Sequence, residues 1–277
     1  MNNIMKKSIL LILILIVLII GINIFTGVKE KKYSEYELGT INTSNAKTLQ
    51  IDNNKITNLS ERSGNDITAM TKIKNISNLN LSQIIIYYDE LDKNDSVISN
   101  SKINIDTTLS PNEVMQIQFT PKDYTYSIEV TGYTYIAEDC SVLVDLKDNE
   151  TRIFENKKYL ENSKSYDVIS INKVKKEESQ QDDLNFNIEI ENISDKNLGN
   201  IVLKVAEVDQ NKEIVRIDHI IYNSILKPEQ RGDIISSLYD PDYDIKILGY
   251  TYDDMENKSN VDIDLITNKV NIIDNGQ

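Results

Sequence analysis

The 277-residue chain has no tryptophan, one cysteine, one histidine, four prolines and nine glycines. The single thiol, Cys140, excludes an intrachain disulfide and any zinc site built from several thiolates. Domains of ordinary size hold enough core to fold without disulfides, so export is compatible with that count. The shortage of histidine removes most nucleophilic chemistry, because a Ser, Thr or Cys nucleophile needs a base beside it. His219 sits in the strand-like run 217–222, has no evident partner in Cys140, and gives way to Lys102 in an internal repeat. A glycine-rich phosphate loop is also missing.

Positive charge is the next scarcity: 30 Lys and Arg stand against 44 Asp and Glu, a net charge of −14. Such a surface repels phosphate backbones, so a nucleic-acid partner is not expected. With 40% hydrophobic residues the chain is too apolar to be disordered, and its length suits two modest domains. The bias to Ile, Asn and Lys is similar to that of an AT-rich bacterial genome.

One long apolar run stands out. Residues 9–25 are Ile, Leu, Val and Phe except for Gly21 and Asn23, and follow Lys6 and Lys7. As a helix the run reaches roughly 25 Å, near the short end for a membrane span. Asn23, Ile24, Phe25, Thr26 and Gly27 offer no small-x-small cleavage site, so an uncleaved anchor is expected in preference to a removed signal. No cysteine follows closely to carry a lipid, and nothing amphipathic breaks the run as a buried core helix would require. Lys29, Lys31 and Lys32 reduce the charge contrast, but Lys6, Lys7 and the amino terminus favour an inside N-terminus. The expectation is a single-pass cell-membrane protein, held through residues 9–25, with the rest extracytoplasmic.

The remainder repeats itself. Asn75-Ile76-Ser77 recurs as Asn192-Ile193-Ser194, and Gly132-Tyr133-Thr134-Tyr135 as Gly249-Tyr250-Thr251-Tyr252, both 117 residues later. The same offset aligns Leu81 with Leu198, Ile84 with Ile201, Leu109 with Leu226 and Pro111 with Pro228 without a gap. Beyond the tyrosines it grows to 119, pairing Val142 and Val144 with Val261 and Ile263. The expected organisation is an anchor with flanking lysines (1–32), a linker (33–44), a first module (45–150), a second linker (151–163), a second module (164–270) and a tail (271–277).

Within each copy apolar residues alternate at period two, as in Leu184, Phe186, Ile188 and Ile190, which marks half-buried strands. Turn formers such as 92–95 and 109–112 separate them. Seven short strands per copy, near Ile51 and over 67–73, 84–88, 97–105, 115–119, 126–130 and 142–146, predict an all-β chain. The expected architecture is two tandem immunoglobulin-like antiparallel β-sandwiches after one N-terminal transmembrane helix. Tyr126, Ile128 and Val130 share a parity that Tyr133 and Tyr135 break, with Gly132 between. A bulge at the glycine that restores the inward face is favoured over tyrosines on the opposite face.

Each copy resembles the FxLYD-domain family. The second reads Ser236-Ser237-Leu238-Tyr239-Asp240 and keeps Leu-Tyr-Asp; the first reads Phe119-Thr120-Pro121-Lys122-Asp123 and keeps Phe and Asp. The resemblance spans most of each module. It implies a β-sandwich in a bacterial envelope and supplies no active-site residues.

The only chemically suggestive side chains are acids in loops. Glu90, Asp92, Asn94 and Asp95 recur in part as Glu207, Asp209 and Asn211, and the second copy adds Asp240, Asp242 and Asp244. Calcium takes six to eight oxygens of this kind, yet the glycine-containing calcium loop is missing. Solvated hairpin turns explain the pattern better. No catalytic residue and no cofactor are assigned. The leading expectation is a non-enzymatic envelope protein that binds a protein or wall component or acts as a spacer. The alternatives are a calcium-responsive binding or sensor ectodomain, or a carboxylate-dependent hydrolase.

Overall fold

Alternating burial along the strands decides the architecture. A computed structural model describes residues 37–38, 41–57, 59–61, 67–122, 124–138, 140–156, 160–161, 166–178, 184–237, 240 and 242–274. The expected membrane helix at residues 9–25 lies outside them. Among the described residues no helix is long and apolar enough to cross a membrane.

The first copy contributes β1 (Ile67–Asn75), β2 (Ser82–Leu91), β3 (Val97–Ile105), β4 (Val114–Phe119), β5 (Ser127–Ala137), β6 (Cys140–Asp145) and β7 (Glu150–Asn156). Short pieces at Leu49–Ile51, Lys55–Ile56 and Ser60–Glu61 precede them. The second contributes β8 (Ile169–Glu178), β9 (Leu184–Asn192), β10 (Leu198–Val208), β11 (Ile214–Tyr222), β12 (Arg231–Ser237), β13 (Asp244–Asp254), β14 (Ser259–Asp264) and β15 (Lys269–Asp274).

In the first copy one sheet runs β7-β6-β5-β2-β3 and the other joins Leu49–Ile51, β1 and β4. The second repeats this as β15-β14-β13-β10-β11 opposite β8-β9-β12. The chain is all-β, with its sheets in a sandwich-like arrangement. Ile84, Ile86 and Tyr88 of β2 and Ile117 and Phe119 of β4 are buried in a first core; Leu203 and Val205 of β10 and Phe186, Ile188 and Ile190 of β9 are buried in a second.

The bulge at the tyrosine motif is present in both copies. Val130 pairs with Tyr88 but Gly132 with Tyr87, so Thr131 is extra; Ile247 and Gly249 likewise flank the extra Leu248. Tyr133, Tyr135, Tyr250 and Tyr252 therefore point into the cores. A Cβ on Gly132 would lie 2.6 Å from the Val144 carbonyl oxygen and one on Gly249 2.3 Å from that of Ile263, so both sites require glycine. The growth of the offset is located too. The first hairpin closes on the pair Ala137 and Cys140, the second on Asp254 and Ser259, and the two additional residues form a wider loop.

Three segments differ from expectation. The stretch expected as a second linker contains all but the first residue of β7, which pairs with β6 and buries Ile153. Leu160–Glu161, in the same stretch, pairs with β15, and β15 itself enters the expected tail. Ile41, placed in the first linker, is buried in the first core. Edge strands that bury one or two apolar side chains leave no period-two signature among charged neighbours.

Candidate functional site

The acidic loops are held by the protein's own donors. Glu90 is buried at the end of β2, where its carboxylate accepts from Ser101 Oγ (2.9 Å), Lys122 N (3.0 Å) and Thr125 Oγ1 (2.8 Å). Burial pushes this carboxyl up, but the Lys122 N–H and the two hydroxyls outweigh it and hold it below the ordinary range. Asp92 Oδ1 accepts from Asn94 N at 2.7 Å and Ser96 N at 2.9 Å, closing the β2–β3 turn. These N–H groups hold its carboxyl low. Asp95 pairs with Lys55 at 2.7 Å.

The second copy repeats the turn and alters the buried acid. Asp209 Oδ1 accepts from Asn211 N and Glu213 N, each at 2.9 Å. Glu207 is buried with its Oε1 3.9 Å from Arg216 Nη1. Asp240 Oδ1 accepts from Asp242 N at 2.9 Å, while Asp244 meets Lys212 at 3.0 Å and Lys176 at 3.4 Å. Those two ammonium groups hold the Asp244 carboxyl low. The nine candidate residues do not converge: among the described residues no group of three or more His, Cys, Asp or Glu is placed to hold a metal ion.

The repeated motifs serve the fold. Tyr133 Oη accepts from Leu49 N at 3.2 Å, and Tyr135 Oη donates to the Ala46 carbonyl at 2.7 Å, tying the start of the first copy to its core. Tyr250 Oη donates to Asp167 at the matching place, at 3.4 Å. Of the residues carrying the family resemblance, Asp123, Leu238 and Tyr239 lie outside the described residues; Phe119 is buried, its ring 4.8 Å from that of Tyr88. Cys140 is buried at the start of β6.

A concentration of polar groups that the sequence did not reveal lies at the seam between the copies. β4 of the first copy and β11 of the second meet in a parallel pair at Met115 and Ile214, which makes one sheet continuous across the repeat. Ala206, Val208, Ile214 and Leu248 of the second copy are buried in the first core. Around them Lys72 reaches Glu213 at 2.6 Å, Lys246 reaches Glu113 at 2.5 Å, and Thr108 Oγ1 donates to Asp264 at 2.5 Å.

Asp106 accepts from both Lys204 (3.0 Å) and His219 Nε2 (2.7 Å) beside a cavity of about 220 Å³. Asp106, Lys204, Asp262, Asp264 and Lys269 line that cavity. Burial pushes the Asp262 carboxyl up; Lys204 opposes this, and Asp106 and Asp264 add to it. His219 and Asp106 form the kind of pair that general-base catalysis uses, but the hydroxyl of Thr108 is turned to Asp264. The seam acts as a charged clamp. In the sequence its only trace is a change of character at some matching positions, Asp106 to Asn223 and Lys204 to Tyr87, which does not by itself locate it.

No family model and no curated protein matches the chain. Among solved structures, red sea bream transglutaminase aligns at 10% identity and a TM-score of 0.22, over 82% of this chain and 31% of that one. This chain thus spans less than a third of that enzyme's length. A chain from a chaperone–tip adhesin complex of CFA/I fimbriae biogenesis aligns at 13% identity and a TM-score of 0.16, over 72% of this chain and 93% of the other. Likenesses this distant carry no argument about activity.

Proposed function

We propose that the chain is a non-enzymatic, membrane-anchored bacterial envelope protein whose two immunoglobulin-like, FxLYD-like modules form one stiff extracytoplasmic arm. That arm binds an envelope protein or wall component, or holds a distance from the membrane. The observation that carries this reading is the seam. Buried apolar residues, three cross-copy ion pairs, the His219–Asp106 contact and a shared sheet join the two copies, an arrangement suited to a rigid unit and unlike flexibly tethered beads. Supporting it, the carboxylates of Glu90, Asp92, Asp209, Asp240 and Asp244 are engaged by N–H, hydroxyl or ammonium groups in turns, clasps or ion pairs. The apolar run at residues 9–25, with Lys6 and Lys7 before it, supplies the anchor.

The test uses intact cells carrying a C-terminally tagged chain. Added protease should remove the tag before lysis, and crosslinking should trap the chain with an envelope component. A tag that resists protease until the cells are lysed contradicts the placement. Turnover of a substrate by the purified chain, abolished by Asp106→Asn, contradicts the non-enzymatic assignment.

A further inference from the structure

The face that the second copy uses to dock has an exact counterpart in position, but not in chemistry, on the first. Along β10, Lys204, Ala206 and Val208 point away from the second core, and Ala206 is 0% exposed against the first copy. Ile217 of β11 and Ile266, just beyond β14, pack against the same cluster. The repeat offsets place Asp89, Asn100 and Lys147 of the first copy where Ala206, Ile217 and Ile266 stand in the second.

The local backbone is conserved between the two sites. Asp145 Oδ1 accepts from Lys147 N at 2.9 Å, as Asp264 Oδ1 accepts from Ile266 N at 2.8 Å. The side chains differ completely. Asp89, 3% exposed, accepts from Asn100 Nδ2 at 2.6 Å and from Lys147 Nζ at 2.5 Å, so the three polar residues satisfy one another. Asn100 and Lys147 are themselves exposed.

The join is heterologous: the β10–β11 face of one copy meets the β1–β4 edge of the copy before it. Such an interface continues into an open array unless one end is altered. Terminal repeats in stacked proteins commonly carry a polar outer face for this reason. We infer that the Asp89–Asn100–Lys147 network caps the array, preventing a second copy of this chain from adding head to tail through the face that joins the two internal copies. Docking there would strip water from an ion pair whose lysine head is solvated, and Val97, the counterpart of Ile214, offers little apolar surface in return.

The test exchanges the two chemistries in the full-length chain held in detergent micelles. Ala206→Asp with Ile266→Lys gives the docking face the cap's charges. Hydrogen exchange at residues 113–117 and 213–217 should accelerate at least tenfold, while residues 84–88 and 201–205 keep their protection. Should the double variant fail to fold, Ile266→Lys alone, at a half-buried turn position, decides the matter with a smaller acceleration in the same segments. Unchanged protection at the seam in a folded variant overturns the inference. Wild-type chain should sediment as a single chain over a hundredfold range of concentration; self-association that newly protects residues 87–91 also overturns it.

Discussion

Asn75 and Asn192, 117 residues apart, make the same four hydrogen bonds. Each Oδ1 accepts from the backbone N–H and the hydroxyl of the serine two residues on, at 2.9 and 2.7 Å in both copies. Each Nδ2 donates to two carbonyls, Leu79 and Leu109 in one copy and Lys196 and Leu226 in the other, at 2.7 and 2.9 Å. The amide, itself fully buried, therefore fastens the turn that links the two sheets. Asn75→Ala and Asn192→Ala should each lower stability by about 2 to 4 kcal/mol in urea unfolding, because each leaves buried polar groups unpaired. A loss below about 0.5 kcal/mol on that scale for either would show that the repeated motif is not structural.

The bulge glycines give a second expectation. Gly132→Ala sets a methyl group against the Val144 carbonyl oxygen, and the strand must shift to relieve it. A loss of about 1 to 3 kcal/mol is expected from such overpacking. Gly249→Ala should behave alike. Thr131→Ala, at the extra residue, serves as a control with little effect, and equal effects of Thr131→Ala and Gly132→Ala would contradict the geometry.

Dependence on pH follows from the buried acids. The folded-state carboxyls of Glu90 and Asp254 lie below their ordinary values. In each, burial pushes upward and is outweighed: in Glu90 by Lys122 N–H and the Thr125 and Ser101 hydroxyls, in Asp254 by Lys196 and Asn257. Their contribution to stability is complete above the unfolded value and is lost as pH falls through the folded one. Glu90→Gln should therefore lower stability at pH 7 and flatten its decline below about pH 4, near the ordinary glutamate value.

Asp262 runs the other way. Burial above all raises its folded-state carboxyl, so its contribution is present at low pH and is lost as pH rises through the raised value. Asp262→Asn should raise the melting temperature at pH 7 and leave it unchanged at about pH 3, below the ordinary aspartate value. A stabilising effect of equal size at both pH values would contradict the sign.

Calcium at millimolar concentration should leave the melting temperature unchanged. The oxygens of Asp92 and Asp209 that a cation would use already accept backbone N–H groups in their turns. Six to eight oxygens would have to be gathered from loops that do not converge. A rise in melting temperature that Asp92→Ala or Asp209→Ala removes would restore the cation reading.

The repeat and the inward alternation were legible because both are local: the offset is read by aligning residues, and period two by counting along one strand. The bulge was legible for the same reason, since Gly132 separates two parities. The seam was not, because Asp106 and Lys204, or Glu113 and Lys246, come together only after two separate copies have folded. β7 escaped for a different reason. Ile153 packs into the core from an edge strand whose neighbours Arg152 and Glu150 face solvent, so the segment reads as a charged linker.

Rigidity across the seam is the central claim, and a distance distribution tests it most directly. Spin labels on Cys residues introduced by Asn94→Cys and Asn257→Cys, both in exposed turns of different copies, report the separation of the copies in the full-length chain. Cys140 is buried and out of reach of the label, and Cys140→Ser serves as a control. One narrow distance peak, broadened by Ala206→Asp with Ile266→Lys, is the predicted result. A broad distribution in the otherwise wild-type chain would contradict it, since the two copies would then move independently.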